Sequence, residues 1–365
     1  MTVDREAVRA LMHAAWRDEG FCVPNDSVYP FQWLWDSCFH ALVWAELDDP
    51  RALTEIRSAL ANQDPATGFV PHLTYWARPD HHASFWGREL TSSITQPPMY
   101  GHALARLVDH GVDIDDDTFA RARAGLRHLL GRRRDREALV PVFHPWETGC
   151  DDSPRWDAWD RSRWREVKGE LVADLVLDSS GFAVDSDTFR VPSCGFNALV
   201  AWNIAELDRV GQADPELVEG AGALVAGLRD RWDPIPAIWT DPTPSGSIRT
   251  ADALLCMLVD PRPEAAALLC DADAFAGPYG IRGVHCDEPT YDPDTYWRGS
   301  SWPQLDYLLL VALRAAGFTE QAAELAQQCA AGAVGSGWAE YWNADTGVGG
   351  GATPQTWTAL ALLFG

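Results

Sequence analysis

Basic residues are scarce in this chain: 29 Lys and Arg stand against 53 Asp and Glu, for a formal charge of −24. Phosphate binding needs a cationic surface, so nucleic acid is not an expected partner. No apolar run reaches membrane-spanning length, which argues against a membrane partner. The start, Met1-Thr2-Val3-Asp4-Arg5-Glu6, puts charges where a secretion signal needs an apolar stretch. A cytoplasmic protein is expected. The eight cysteines (22, 38, 150, 194, 256, 270, 286 and 329) include no C-x-x-C pair, and Cys256 and Cys270 sit in apolar helical settings. That pattern favours free buried thiols over disulfides or zinc. Gly349-Gly350-Gly351 lacks the Lys-[Ser/Thr] that completes a phosphate loop and reads instead as a mobile hinge. His81 and His82 are adjacent and point to different sides in most backbone conformations, so a shared ligand role is not expected of them; neither a metal nor a cofactor is expected. Alternating strand patterns are short and few.

What is present is helical. Residues 4–18 place Val8, Leu11, Met12, Ala15 and Trp16 at helical spacing, and 36–47 do so with Phe39, Leu42, Val43 and Leu47. A weak repeat runs through the chain. A hydroxylated residue opens an apolar run at Ser37, Thr95, Ser193, Ser247, Ser300 and Thr353, at intervals of 58, 98, 54, 53 and 53 residues. The recurring interval fits two helices and their connections. More polar helical stretches lie between the openings, at 50–62, 115–131, 214–231, 262–271 and 318–331. The sixth apolar run ends the chain without a partner, and the helix at 4–18 is the spare. Six inner and six outer helices, closed by the termini, predict an all-α (α/α)6 toroid in one domain over residues 1–365. The long interval marks an insertion carrying site residues around 132–175.

In such a toroid the loops ahead of the inner helices line one mouth. Aromatic and acidic residues cluster in those loops: Tyr29 to Asp36, Thr91 to Tyr100, Tyr296 to Trp302, and Trp338 to Gln355. Asp36 near a helix start reads as a cap or as an acceptor for paired sugar hydroxyls. Trp33 and Trp35 alternate in an extended lead-in and cannot both face one core. Trp297, Trp302 and Arg298 repeat the arrangement downstream, as substrate contacts or as a Trp-rich packing corner with Arg298 paired to an acid. A chain with 18 Trp packs some of them structurally, yet their concentration at helix openings points to stacking on sugar rings.

The densest stretch is Val142 to Asp157, with four acids, two Trp, one Gly and two Pro in one irregular segment. Solvated loops rarely spend two Trp, and cores rarely spend four carboxylates. The mixture suits a cleft that stacks a polar ring while a carboxyl moves a proton. Its partner lies in Trp338-Ala339-Glu340-Tyr341-Trp342-Asn343. Glycoside hydrolysis needs one raised-pKa acid and one base on the opposite face of the sugar. Asp151 and Glu340 are the candidates, and Asp152, Glu147 and Asp157 remain rivals for the acid.

Pro145 to Asp157 closely resembles the acid-bearing motif E-[ST]-G-x-D of family 63 glycoside hydrolases and related trehalases. Gln32 to Ser37, Thr95-Gln96-Pro97-Pro98, Tyr296 to Pro303 and Glu340 to Gly347 look like further signatures, in the same order. The resemblance implies an (α/α)6 catalytic domain and inverting hydrolysis of an α-glycoside, with Asp151 as general acid and Glu340 as general base. Among relatives, bacterial enzymes acting on mannosylglycerate and glucosylglycerate look nearest. Their pattern would place Tyr29, Trp33, Trp35, Asp36, Gln96, Tyr296, Trp297, Trp302 and Gln355 around the sugar. The expected partner is thus a small carbohydrate: a glucosylglycerate-like or mannosylglycerate-like substrate, or an α-linked disaccharide. The chain is shorter than those enzymes, and the loss is expected between Asp157 and Ser193. No clear match is found there for the Arg and Tyr that would hold a glycerate carboxylate; Arg163, Arg165 and Arg190 are the candidates.

Two other readings compete. A non-catalytic carbohydrate-binding α-toroid would keep the tryptophans without needing both Asp151 and Glu340. A magnesium-dependent terpenoid synthase would use Asp115-Asp116-Asp117 or Asp151-Asp152, but the first opens a helix and is better explained as a cap.

Overall fold

The computed structural model describes residues 3–134 and 137–365. Met1, Thr2 and two positions of the expected insertion, Asp135 and Arg136, lie outside the described residues. Asp4 starts the fold by accepting from the backbone N–H groups of Glu6 and Ala7, capping a helix at Arg5–Ala15 that buries Val8, Met12 and Ala15. Asp115 and Asp214 cap the helices Asp116–Gly131 and Pro215–Arg229 in the same way, so the acidic run at 115–117 is a helix start. With Arg51–Ala61, Pro263–Cys270 and Thr319–Gly335, these form the more polar set expected from the sequence.

The apolar set is Leu34–Glu46, Tyr100–Asp109, Cys194–Arg209, Ala251–Leu258, Pro303–Ala315 and Thr356–Leu363, the fourth and last wound as tighter 3-10 turns. Every residue from Leu34 to Ala45 is buried, as a helix surrounded by others requires. Each apolar helix packs on the next in chain order, and the sixth packs back on the first. The helix at Arg5–Ala15 covers the sixth. The seam is tied where Thr356 N–H donates to Pro24 C=O at 2.9 Å and Thr356 Oγ1 meets His40 Nε2 at 2.7 Å. One hydrophobic cluster runs through all six. Beside the seam, Glu55, Cys22 and His40 bring metal-capable atoms within 4.8 Å of one another, and the Glu55 carboxylate accepts from Ser37 Oγ and Cys22 N–H.

Two expectations change. The first apolar helix begins at Leu34, ahead of Ser37, with Trp33 at its cap position and no capping side chain. Asp36 therefore stands inside the first turn and does not cap. The excursion between Gly131 and Cys194 also runs beyond 175. It contains turns at Pro145–Thr148 and Pro154–Trp159, a helix at Trp164–Ala173 and a hairpin pairing Leu175–Leu177 with Ala183–Ser186. Val142 and Val191 exchange backbone hydrogen bonds, closing it at its base. A second apolar cluster, including Tyr75, Trp86, Phe143 and Leu175, ties the excursion to the loop around residue 75. All eight cysteines are free, and no described helix is long and apolar enough to cross a membrane.

Candidate active site

The loops ahead of the apolar helices meet in one cavity. Tyr29, Trp33, Trp35, Asp36, Gln96, Asp151, Tyr296, Trp297, Glu340 and Gln355 all line it, joined by Pro24, Gly149 and Trp357. A second, larger cavity of about 650 Å3 opens beside it and shares Tyr29, Trp33, Gln96 and Asp151. Asp151 thus stands where the two meet, while Glu340 faces only the smaller one.

Local bonding explains why Asp151, of the four acids in its segment, reaches the cavity. Glu147 is fully buried, accepting from Arg132 at 3.0 Å and from the backbone N–H groups of Phe143 and Thr95. It fastens the segment to the loop carrying Gln96. Asp157 and Asp152 accept from Arg298, at 2.7 and 3.3 Å. Gly149 takes φ +74° and leaves no room for a Cβ, which would fall 2.4 Å from the Trp35 ring. The chain turns there against Trp35 and presents Asp151. Burial lifts the Asp151 carboxyl to about 7; Lys168 opposes the rise, and Glu340 and Asp152 add to it.

Glu340 is placed by a short hairpin in which Tyr341–Trp342 pairs with Gly349–Gly350. Its carboxylate accepts from Tyr29 OH at 2.9 Å and from Ala352 N–H at 2.8 Å. A Cβ on Gly351 would stand 2.3 Å from Glu340 Oε2. The glycine run therefore forms a paired strand and a close backbone approach, correcting the expected hinge. Burial raises the Glu340 pKa, and the two donors restrain the rise. Asp36, also buried, is pushed up to about 7.

Two expected residues do not line the cavity. Trp302 stacks behind Trp297, with ring centroids 3.6 Å apart and planes 1° from parallel. Arg298, 2% exposed, is spent on Asp157 and Asp152. Both brace the wall because their partners lie behind it. His81 and His82 also differ from expectation: a left-handed backbone at His82 (φ 58°) brings their rings to 4.0 Å. Arg190 pairs with Glu137 and Asp185, and Arg163 with Glu170, so neither is free for a substrate carboxylate. Arg165 is exposed.

Sequence reasoning missed Trp357, whose place in an apolar run marked it as core, and Lys168, the chain's one lysine. His72 and His144 lie nearby, and burial pushes each down to about 3. They hydrogen-bond Ser92 Oγ and the Lys168 carbonyl, at 2.6 and 3.1 Å. Trp33 Nε1, Trp297 Nε1 and Gln355 Oε1 are buried without a hydrogen-bond partner among the described residues. Buried polar atoms are rarely left so, and these three belong to side chains on the cavity wall.

Comparison with known proteins gives a consistent result. Residues 29–358 match the family described as the mannosylglycerate hydrolase MGH1-like glycoside hydrolase domain. A mannosylglycerate hydrolase of Thermus thermophilus is 29% identical, over 94% of this chain and 96% of its own. A glucosylglycerate hydrolase of Mycolicibacterium hassiacum is 27% identical, over 92% of each. The crystal structure of a family 63 mannosylglycerate hydrolase from Thermus thermophilus in complex with glucose superposes with a TM-score of 0.84, at 27% identity and 99% coverage of both chains. The complex of that enzyme with Tris and D-glycerate gives 0.80 at 26% identity, again over 99% of both chains.

Proposed function

The chain belongs to the mannosylglycerate hydrolase MGH1-like glycoside hydrolase family, and from that membership we infer an inverting hydrolase of a small α-glucoside or α-mannoside. It is a glycosidase. The cyclic packing of alternating helices supports an (α/α)6 toroid forming one catalytic domain. The substrate is a glycosylglycerate-like compound or an α-linked disaccharide, met in the cytoplasm.

One observation carries the assignment: Asp151 stands at the junction of the two cavities and Glu340 in the smaller one alone. A sugar ring held in the smaller cavity puts its glycosidic oxygen beside Asp151 and its far face beside Glu340. Trp33, Trp297 and Gln355 then offer their unpaired polar atoms to its hydroxyls, and Tyr29, Trp35, Asp36, Gln96 and Tyr296 complete the enclosure. Trp302 and Arg298 hold the wall from behind. Asp151, kept protonated by burial, gives its proton to the glycosidic oxygen as the bond to the anomeric carbon breaks. Glu340, its carboxylate favoured by Tyr29 and Ala352, takes a proton from the water that attacks the opposite face. Solvent then returns the proton balance.

The test is NMR of the first-formed product from α-glucosides and α-mannosides, with wild type, Asp151→Asn and Glu340→Gln. The β-anomer should appear first, and each variant should lose most turnover while staying folded. First release of the α-anomer, or near-wild-type activity in either variant, overturns the assignment it probes.

A further inference from the structure

The two cavities differ in charge. The smaller one is lined by three carboxyls, Asp36, Asp151 and Glu340, and by no basic residue among those described. The larger one has Arg78 as its one arginine and Asp151 as its one carboxyl, again among the described residues. Burial raises the pKa of that carboxyl to about 7, so Asp151 spends much of its time uncharged. A leaving group that enters the larger cavity therefore meets one fixed positive charge and little negative charge.

Acids outnumber bases 53 to 29 in this chain, and most arginines around the site are taken by them. Arg298 holds Asp157 and Asp152, Arg132 holds Glu147, and Arg190 holds Glu137 and Asp185. Arg78 has no carboxylate partner among the described residues. Its guanidinium lies 5.0 Å over the Phe31 ring, which supports one flat face and leaves the N–H edge open. The backbone beneath it is pinned: Arg78 N–H donates to Tyr75 C=O at 2.6 Å, and Arg78 C=O accepts from His81 N–H at 2.9 Å. Lys168, the other cation of the region, does not line the cavity. It lies over Trp164 and Trp146, at 5.1 and 6.0 Å, in the field of Asp151 and Asp152.

We propose, resting on the hydrolase reading above, that Arg78 sets the choice of leaving group: its guanidinium holds a carboxylate carried next to the glycosidic oxygen. A short acid is thereby preferred over the uncharged alcohol of the same size. The paired N–H donors of a guanidinium match the two oxygens of a carboxylate, and an uncharged alcohol offers no such pair. The task expected of an arginine between Asp157 and Ser193 passes to the loop that follows the helix Arg51–Ala61, because the arginines of the excursion are paired or do not line the cavity. Arg78 acts on binding alone, and no bond is made or broken at it.

The α-glycosides of glycerate and of glycerol test this, because they differ by one carboxylate in place of one hydroxymethyl group. Wild type should favour the glycosylglycerate in kcat/KM by roughly tenfold or more. Arg78→Gln should bring that ratio below about threefold, chiefly through a higher KM for the glycosylglycerate. Arg78→Lys keeps the charge without the paired donors and should restore part of the ratio. The same ratio in Arg165→Gln decides between this loop and the excursion. A wild-type ratio near one, a ratio unchanged in Arg78→Gln, or a collapse in Arg165→Gln instead overturns the proposal. If neither glycoside is hydrolysed, the hydrolase reading fails by itself. Arg78 is then read by titrating D-glycerate and glycerol against tryptophan fluorescence. Saturable quenching by D-glycerate that weakens in Arg78→Gln upholds its role; no quenching, or quenching that persists in the variant, overturns it.

Discussion

Asp151 and Asp306 have carboxyls that burial pushes to about 7, in regions with opposite tasks. Asp306 is fully buried in the helix Pro303–Ala315, where it accepts from Ser301 Oγ at 2.8 Å and from Ile281 N–H at 3.3 Å. Asp151 lines two cavities and shares the smaller one with Glu340. Removing a carboxyl from water raises its proton affinity wherever it sits. Access to a second molecule turns that affinity into proton transfer. A raised pKa therefore marks a site only together with a cavity.

Substitution at the two positions should separate them most. Asp151→Asn is expected to lower kcat about 10^2- to 10^4-fold with the melting temperature near wild type. Asp306→Asn should keep kcat within about threefold, since Asp306 is fully buried and lines neither cavity. Steady-state kinetics with calorimetry on both variants checks this, and a large kcat loss in Asp306→Asn would erase the distinction.

Next comes the scaffold behind each acid. Glu147→Ala leaves Arg132 buried and unpaired and frees the Thr95 and Phe143 amides, so a loss of about 3–5 kcal/mol in unfolding free energy is expected. Denaturant melts measure it. Gly351→Ala, by contrast, acts on the site: its Cβ meets Glu340 and its φ is +71°, so kcat should fall about tenfold or more with a smaller stability loss.

Acidity gives smaller effects. If Asp151 is the general acid proposed above, activity should fall as pH rises through about 7, where its carboxyl loses the proton. Lys168 opposes the rise of that pKa, so Lys168→Met should move this limb to higher pH. Asp306 works through folding. Its folded pKa exceeds the unfolded value near 3.8, so the folded chain holds a proton that the unfolded chain releases between about pH 4 and 7. Stability is lost as pH rises through that window, and Asp306→Asn should flatten the fall in melting temperature across it.

Much of this architecture was legible before any coordinates, because helix period and the repeat of about 54 residues are local properties of the chain. The polar stretches at 115–131 and 214–231 became helices with Asp115 and Asp214 at their caps, within a residue or two of the expected limits. The loops expected to share a mouth do meet, since each precedes an apolar helix of the same ring. Details set by contacts across the fold were not legible. Trp297 and Trp302 look alike in sequence, yet one lines the cavity and the other backs it.

The sequence by itself determined the alternation of buried and exposed helices and the segment from which a carboxyl reaches the cavity, both written in residues that are neighbours along the chain. Why Asp151, the acid that the motif resemblance named, faces the cavity while its three neighbours do not was decided only by the folded molecule. Arg298, more than 140 positions downstream, takes Asp152 and Asp157, and Arg132 takes Glu147. Those partners are set by distance in space, and a buried charge goes to the nearest opposite one whatever its place in the chain.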